Sequence, residues 1–251
     1  MSLAPMSVFL ADEHPLNEEL SLWVDRHGWT KDRHLVPGVQ LEWRDQILSL
    51  CHRDKRLPAV YVNFIHLWRS TQISKQDPFA KALGLRHGLK NVVDATAGLG
   101  GDLIKLLKLG CTVTAIESSP VVFALLLDGQ RRAMNDERWV NGGSKRLTLQ
   151  FGEAEKILPR LAAEICDVIY LDPMFPEKSK TALSKGEMQI MQELFSDSQD
   201  NLSSLLRAAR EKANKRVVLK RPRLAAKVEP APNLDFLGNS VRYDVWLRST
   251  L

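Results

Sequence analysis

The chain has little of what marks a secreted, membrane-bound or metal-dependent protein. Only three cysteines occur among its 251 residues. Cys51, Cys111 and Cys166 stand far apart, without the paired spacing of a disulfide framework or a zinc site, and are expected to be reduced and mostly buried. No apolar run reaches the roughly 18 residues that a membrane span needs, and no secretory leader pattern opens the chain. A cytoplasmic location without membrane contact is the expectation. The six histidines form no ligand cluster, and no metal is expected. Internal repeats and low-complexity tracts are lacking as well.

What is present is ordinary for a folded soluble chain: 44% hydrophobic and 26% charged residues, with enough length for a substantial core. The net charge is +5 and the pI about 9.1. Such an excess favours a polyanionic partner if it is gathered on one face.

The pattern changes character near residue 90. Residues 1–76 read as a small N-terminal α+β subdomain in which 41–50 and 59–68 are candidate strands separated by the basic turn "CHRDKRLP". Residues 77–251 read as a second domain. Asp77-Pro78 is an N-cap followed by a first-turn proline, and its short helix ends at Gly84. Strands and helices then alternate, which predicts an α/β fold with a doubly wound, mostly parallel sheet. The expected strands are 91–95, 111–117, 146–151, 167–171, 215–220 and 240–247, the last antiparallel at the edge. Asp102 and Gly110 are expected to cap one intervening helix, and Ser119-Pro120 to open the next.

In such sheets ligands sit beyond the carboxyl ends of the strands, and "DATAGLGGD" (94–102) falls there. Gly98 and Gly100 allow a tight turn and a close backbone approach. Glu117 ends the second strand 19 residues after Gly98, about the spacing at which an acid reaches a ribose hydroxyl pair. A dinucleotide fingerprint would need a third glycine at position 103, where Leu103 stands. Asp94, poorly placed beside a phosphate, suits a cationic or amine-bearing ligand. S-adenosylmethionine, with a sulfonium, an ammonium, a ribose and no phosphate, fits this set.

A methyl donor needs an acceptor. "DPMFP" (172–176) ends the fourth strand and resembles the D/N-P-P-Y/F tetrad of methyltransferases that act on amines conjugated to a ring or carbonyl. The lone pair of such an amine is delocalised, so the site must hold it in line with the methyl group and accept its hydrogens. Asp172 supplies a carboxylate acceptor for orientation and electrostatic stabilisation. The Pro173 carbonyl is a second acceptor, and Phe175 is placed to stack on a base. Lys178, Lys180 and Lys185, with Lys220, Arg221 and Arg223 of "LKRPR" (219–223), are expected to converge on one rim and meet RNA phosphates.

With "VVDATAGLGGD", "GCTVTAIESSPVVFALLLDG", "VIYLDPMFP", "KTALSKGEM" and "KRVVLKRP" in view, the chain resembles the ribosomal RNA small-subunit methyltransferase J family. The resemblance covers about residues 57–247. It implies a class I, Rossmann-like, S-adenosylmethionine-dependent enzyme that methylates the exocyclic N2 of a guanosine near the 3′ end of 16S rRNA, acting on small-subunit rRNA or the subunit without an obligate protein partner. It carries cofactor contacts to Gly101, Asp102, Glu117, Ser118, Glu153, Ala154 and Asp172; Glu153 departs from the family's small hydroxyl residue there and, as an acid, is instead expected to accept from an adenine amine. Two rival readings of the same sheet are a nicotinamide-dependent oxidoreductase and a non-catalytic RNA-binding module.

Overall fold

Short β-branched runs separated by helix-length amphipathic segments pack best as a parallel sheet with both faces covered, and residues beyond 90 follow that rule. The computed structural model describes residues 8–10, 18–26, 38–173, 185–195, 202–226 and 228–248. Its strands are β1 (Val8–Leu10), β2 (Val39–Arg44), β3 (Ile47–His52), β4 (Asn91–Asp94), β5 (Thr112–Glu117), β6 (Leu147–Phe151), β7 (Val168–Leu171), β8 (Arg216–Pro222), β9 (Leu234–Leu237) and β10 (Val241–Leu247). The helices are α1 (Glu18–Arg26), α2 (Phe64–Ser70), α3 (Pro78–Ala82), α4 (Gly101–Lys108), α5 (Pro120–Ala133), α6 (Glu137–Gly142), α7 (Ala154–Ile157), α8 (Lys185–Leu194) and α9 (Leu202–Lys212).

Seven strands form the main sheet in the order β6-β5-β4-β7-β8-β10-β9. The chain runs outward from β4 to β6, then returns to lay β7 against the other side of β4, so chain direction across the sheet switches between β4 and β7. That crevice is where such folds bind ligands. Alternation along the strands divides the core: Val92, Val113, Val168 and Tyr170 face one apolar layer with α4 and α5, while Val93, Ile116, Ile169 and Leu171 face a second layer with α9. The first layer also takes in Leu41, Leu48, Phe64 and Phe79, so residues on both sides of position 76 share one core.

Three expectations are corrected. Residues 41–50 are not one strand: Asp45 (φ 51°) and Gln46 (φ 59°) make a two-residue turn and fold β2 back on β3, because two left-handed residues match the twist of a tight hairpin. The second half of 59–68 is helical. Val60 bridges Leu50, but the Asn63 side chain then accepts from the His66 N–H at 2.9 Å and starts α2, a cap strong enough to override the β-branched run before it. The expected edge strand, β10, pairs antiparallel with β8 as foreseen, yet β9 covers its other side.

The helix ends follow the sequence more closely. Asp77 caps α3 and Ser119 caps α5, each followed by proline. The cap of α4 is Gly100 rather than Asp102, which lies in the first turn. Gly110 follows α4, with amide bonds from Gly110 to Leu107 and from Cys111 to Leu106 closing the end. Cys51, Cys111 and Cys166 are all free thiols, the last two buried.

Gly100 joins the N-terminal segment to the sheet. Its φ is +83°, and a Cβ there would lie 2.6 Å from Phe64 Cε1. The Phe64 ring cannot easily yield, being stacked on Trp139 at 5.0 Å. Gly100→Ala is therefore expected to cost about 2–4 kcal/mol in urea unfolding, the sum of an unfavourable φ and overpacking. Phe64→Leu in the same chain should recover part of that loss; a strictly additive double mutant would argue against the contact.

Candidate active site

At the carboxyl tip of β4 the loop 95–100 turns under the control of two carboxylates. Asp94 is buried and its Oδ1 accepts the Thr96 N–H at 3.2 Å. Glu117, at the tip of β5, accepts the Gly98 N–H on Oε2 at 2.9 Å and the Ser119 N–H on Oε1 at 2.7 Å. The acid that spacing assigned to a ribose thus also shapes the loop.

The acceptor motif is tied to this loop. Asp172 follows β7, and its backbone N–H donates to Thr96 Oγ1 at 2.6 Å. With Asp94 in register with Tyr170, the two strand tips run side by side rather than diverging. Pro173 is buried next to Asp172. Phe175, Lys178 and Lys180 lie outside the described residues.

Across the tip of β8, Lys220 reaches in. Its Nζ donates to Asp172 Oδ2 at 2.6 Å and to Asp102 Oδ2 at 2.8 Å. Asp102 Oδ2 also accepts from the Tyr170 hydroxyl at 2.5 Å, and Oδ1 accepts from Lys105 Nζ at 2.7 Å. Lys220, expected at a phosphate-facing rim, has its charge engaged here by two carboxylates. Lys185 is exposed at the start of α8. Arg221 donates to the Ala226 carbonyl at 3.4 Å, and Arg223 to the Gly238 carbonyl at 2.8 Å. Sequence reasoning missed Thr96, Tyr170 and Lys105. The contact between Lys220 and Asp172 was missed as well, although strand register carried the signal: Tyr170 pairs with Val218 and Leu171 with Leu219, so one step on Asp172 meets Lys220.

Charge sets the proton affinities. Burial pushes Asp94 from the ordinary 3.8 to about 8, reinforced by Asp102, Asp172 and Glu117 against the Thr96 amide. Burial also raises Asp172, with Asp102 adding to the rise and Lys220 opposing it. Asp102 is equally desolvated, but Lys220 and Lys105 hold it below the usual carboxylate range. With Asp94 mostly protonated near neutral pH, the three other acids still outnumber the two lysines, a setting for a cationic ligand and a poor one for a phosphate.

The comparisons with known proteins agree with this geometry. The SAM_MT model of SAM-dependent methyltransferases matches residues 24–248. The ribosomal RNA small subunit methyltransferase J of Aeromonas salmonicida is 45% identical over 225 residues, 86% of this chain and 88% of the relative. The protein of the same name from Shewanella oneidensis is 40% identical over 257 residues, 98% of this chain and 99% of the relative. The chain belongs to the ribosomal RNA small-subunit methyltransferase J family. A crystal structure of a SAM-dependent methyltransferase from Neisseria gonorrhoeae superposes with a TM-score of 0.75 at 32% identity, covering 96% of each chain. The fold is that of the class I methyltransferases.

S-adenosylmethionine is the cofactor of this methyltransferase, and the residues present suit it. The negative cleft, Glu117 at the tip of β5 and a loop without bulk at Gly98, Gly100 and Gly101 match a sulfonium, a ribose and an ammonium. A Cβ at Gly101 would meet nothing within 4 Å, so that position is open. Ser118 is exposed beyond Glu117, and Ala154 is buried at the start of α7. Glu153 is half-exposed and paired with Lys156 at 2.7 Å. Trp23, edge-on to Phe151 at 4.6 Å, adds an aromatic pair at the β6 tip that sequence reasoning did not single out. Leu103, where a dinucleotide site would have glycine, is a core residue of α4. Among the described residues no group of His, Cys, Asp and Glu could hold a metal ion, and no helix is long and apolar enough to cross a membrane.

Asp94 is expected to make cofactor binding pH-dependent. Its folded-state value lies above the ordinary one, so the unliganded protein loses stability as pH rises from about 4 to about 8. A cationic ligand favours the ionised form and gains affinity over the same interval. Calorimetry is expected to show S-adenosylmethionine bound about tenfold or more tightly at pH 8 than at pH 6, with proton release. Asp94→Asn should flatten this difference; an unchanged slope in the variant would assign it elsewhere.

Proposed function

We propose that this methyltransferase transfers the methyl group of S-adenosylmethionine to the exocyclic N2 of one guanosine near the 3′ end of 16S rRNA. The curated relatives are named as ribosomal RNA small subunit methyltransferases, and rRNA is taken from them as the acceptor. The observation that carries the amine chemistry is the bond from the Asp172 N–H to Thr96 Oγ1 at 2.6 Å. It ties the carboxylate that would receive an amine to the loop that would hold the cofactor, so the two reacting groups share one rigid frame, as in-line transfer requires.

When bound, S-adenosylmethionine supplies an electrophilic methyl group whose sulfur keeps the electron pair of the breaking bond. Asp172 accepts a hydrogen from the guanine amine and turns its lone pair out of conjugation, and the Pro173 carbonyl is the second acceptor for that amine. The proton shed after methylation passes to Asp172 or to water. Phe175 stacks on the base, a contact of about 1–3 kcal/mol, and a paired guanosine must first be turned out of its helix. Lys178, Lys180, Lys185, Arg221 and Arg223 are the candidates for flanking phosphates.

Mass mapping of 16S rRNA from cells lacking the gene is expected to show one missing N2-methylguanosine near the 3′ end, restored in vitro by the purified protein and S-adenosylmethionine. An unaltered map, or a restored mark on another atom or another RNA, would refute the assignment.

A further inference from the structure

We infer that Lys220 is a positioning residue of the methyl-transfer site, holding the Asp172 carboxylate in one orientation and balancing its charge, rather than a contact for RNA phosphates. The inference rests on the acceptor role given to Asp172 above.

The geometry favours an internal role on three counts. Lys220 Nζ lies within 2.8 Å of oxygens on two carboxylates, Asp172 and Asp102, which take two of its three N–H donors and more than balance its single charge, leaving little attraction for a phosphate. Its side chain is 23% exposed while that of Asp172 is 35% exposed, so the lysine is the more buried of the pair. Asp102 is itself fixed by the Tyr170 hydroxyl and Lys105 Nζ, which makes the arrangement a chain running from α4 through Lys220 to the motif after β7. With Oδ2 of Asp172 engaged by Lys220, Oδ1 is the oxygen this reading assigns to the amine.

Charge gives the arrangement a function. Asp172 faces Lys220 from β8, Asp102 from α4, Tyr170 from β7, Asp94 from β4 and Tyr243 from β10. The acids push its proton affinity up, and burial raises both tyrosines, so they stay neutral. Lys220 is the one cation within hydrogen-bonding distance of Asp172 among the described residues. Burial pulls the Lys220 ammonium down, but the two carboxylates outweigh that and hold it above its usual value. Without it Asp172 would take up a proton at higher pH and lose its capacity to accept from the amine.

The test compares wild type, Lys220→Met, Lys220→Gln and Lys220→Arg in methyl transfer to small-subunit rRNA between pH 5 and 9, with S-adenosylhomocysteine affinity and melting as controls. The neutral variants should lower kcat by about tenfold to a hundredfold. They should also move the acidic limb of the kcat profile up by at least about one pH unit, the size of shift expected on losing an adjacent opposite charge. Lys220→Arg should recover much of both. Should Lys220→Met not fold, Lys220→Gln, which keeps a donor without the charge, gives the same comparison. An unmoved limb and kcat, with a raised KM for RNA and a weaker salt dependence, would make Lys220 a phosphate contact and overturn the inference. Asp172→Ala separates the two claims. Full activity in that variant removes the acceptor reading itself, whereas an inactive Asp172→Ala beside an unaltered Lys220→Met removes only the role of the lysine.

Discussion

Asp172→Ala is expected to slow methyl transfer by about 10²- to 10⁴-fold while changing S-adenosylhomocysteine affinity by no more than about threefold. The range is that of a positioned group handling a proton in the transition state. The asymmetry follows from the structure, because the link between Asp172 and the cofactor loop runs through its backbone N–H to Thr96, which alanine preserves. Asp172→Asn keeps an acceptor oxygen and should lose less, as a D/N pattern implies. Single-turnover kinetics with small-subunit rRNA and calorimetry with S-adenosylhomocysteine separate the two effects. A variant that still transfers at the wild-type rate would end the acceptor role, and one that no longer binds cofactor would show that the side chain supports the loop instead.

Glu117→Ala should show the opposite profile, with cofactor affinity reduced by about 10²- to 10³-fold. The carboxylate is buried and accepts two backbone amides, from Gly98 and Ser119. Bonds to a charged acceptor are worth about 1.5–3 kcal/mol each, and every 1.4 kcal/mol is tenfold in affinity. Alanine removes the groove wall for the ribose and the anchor of the loop together, so urea unfolding should also fall by about 2–4 kcal/mol. Glu117→Gln, with one acceptor oxygen where the amides need two, should lie between. Affinity that survives Glu117→Ala would place the ribose away from the tip of β5.

The same two residues show what can be read without coordinates. The place of Glu117 at the tip of β5, beside the glycine turn, was legible because the distance from that turn to the end of the next strand is set by one helix and two short loops, and local geometry transmits that distance faithfully. The Asp77-Pro78 and Ser119-Pro120 helix starts were legible for a similar reason: each is decided within four residues. The hairpin at Asp45-Gln46, the helix after Asn63 and the cover strand β9 were not, because neither Asp-Gln nor Asn-Phe announces its turn and because pairing partners far along the chain decide an edge. The ion pair of Lys220 with Asp172 was not foreseen because a lysine near a basic run reads as surface. Only the register of β7 against β8 shows that it stands opposite a carboxylate.

Phe64 gives the N-terminal segment a say in the cofactor pocket. Its ring occupies the volume that any side chain at position 100 would need, so the curvature of the glycine turn is moulded from outside the strands that carry it. Substitutions in 59–70 and in 95–101 must therefore be compatible with one another. A relative with a bulkier residue at 100 would have to give up the aromatic ring facing it.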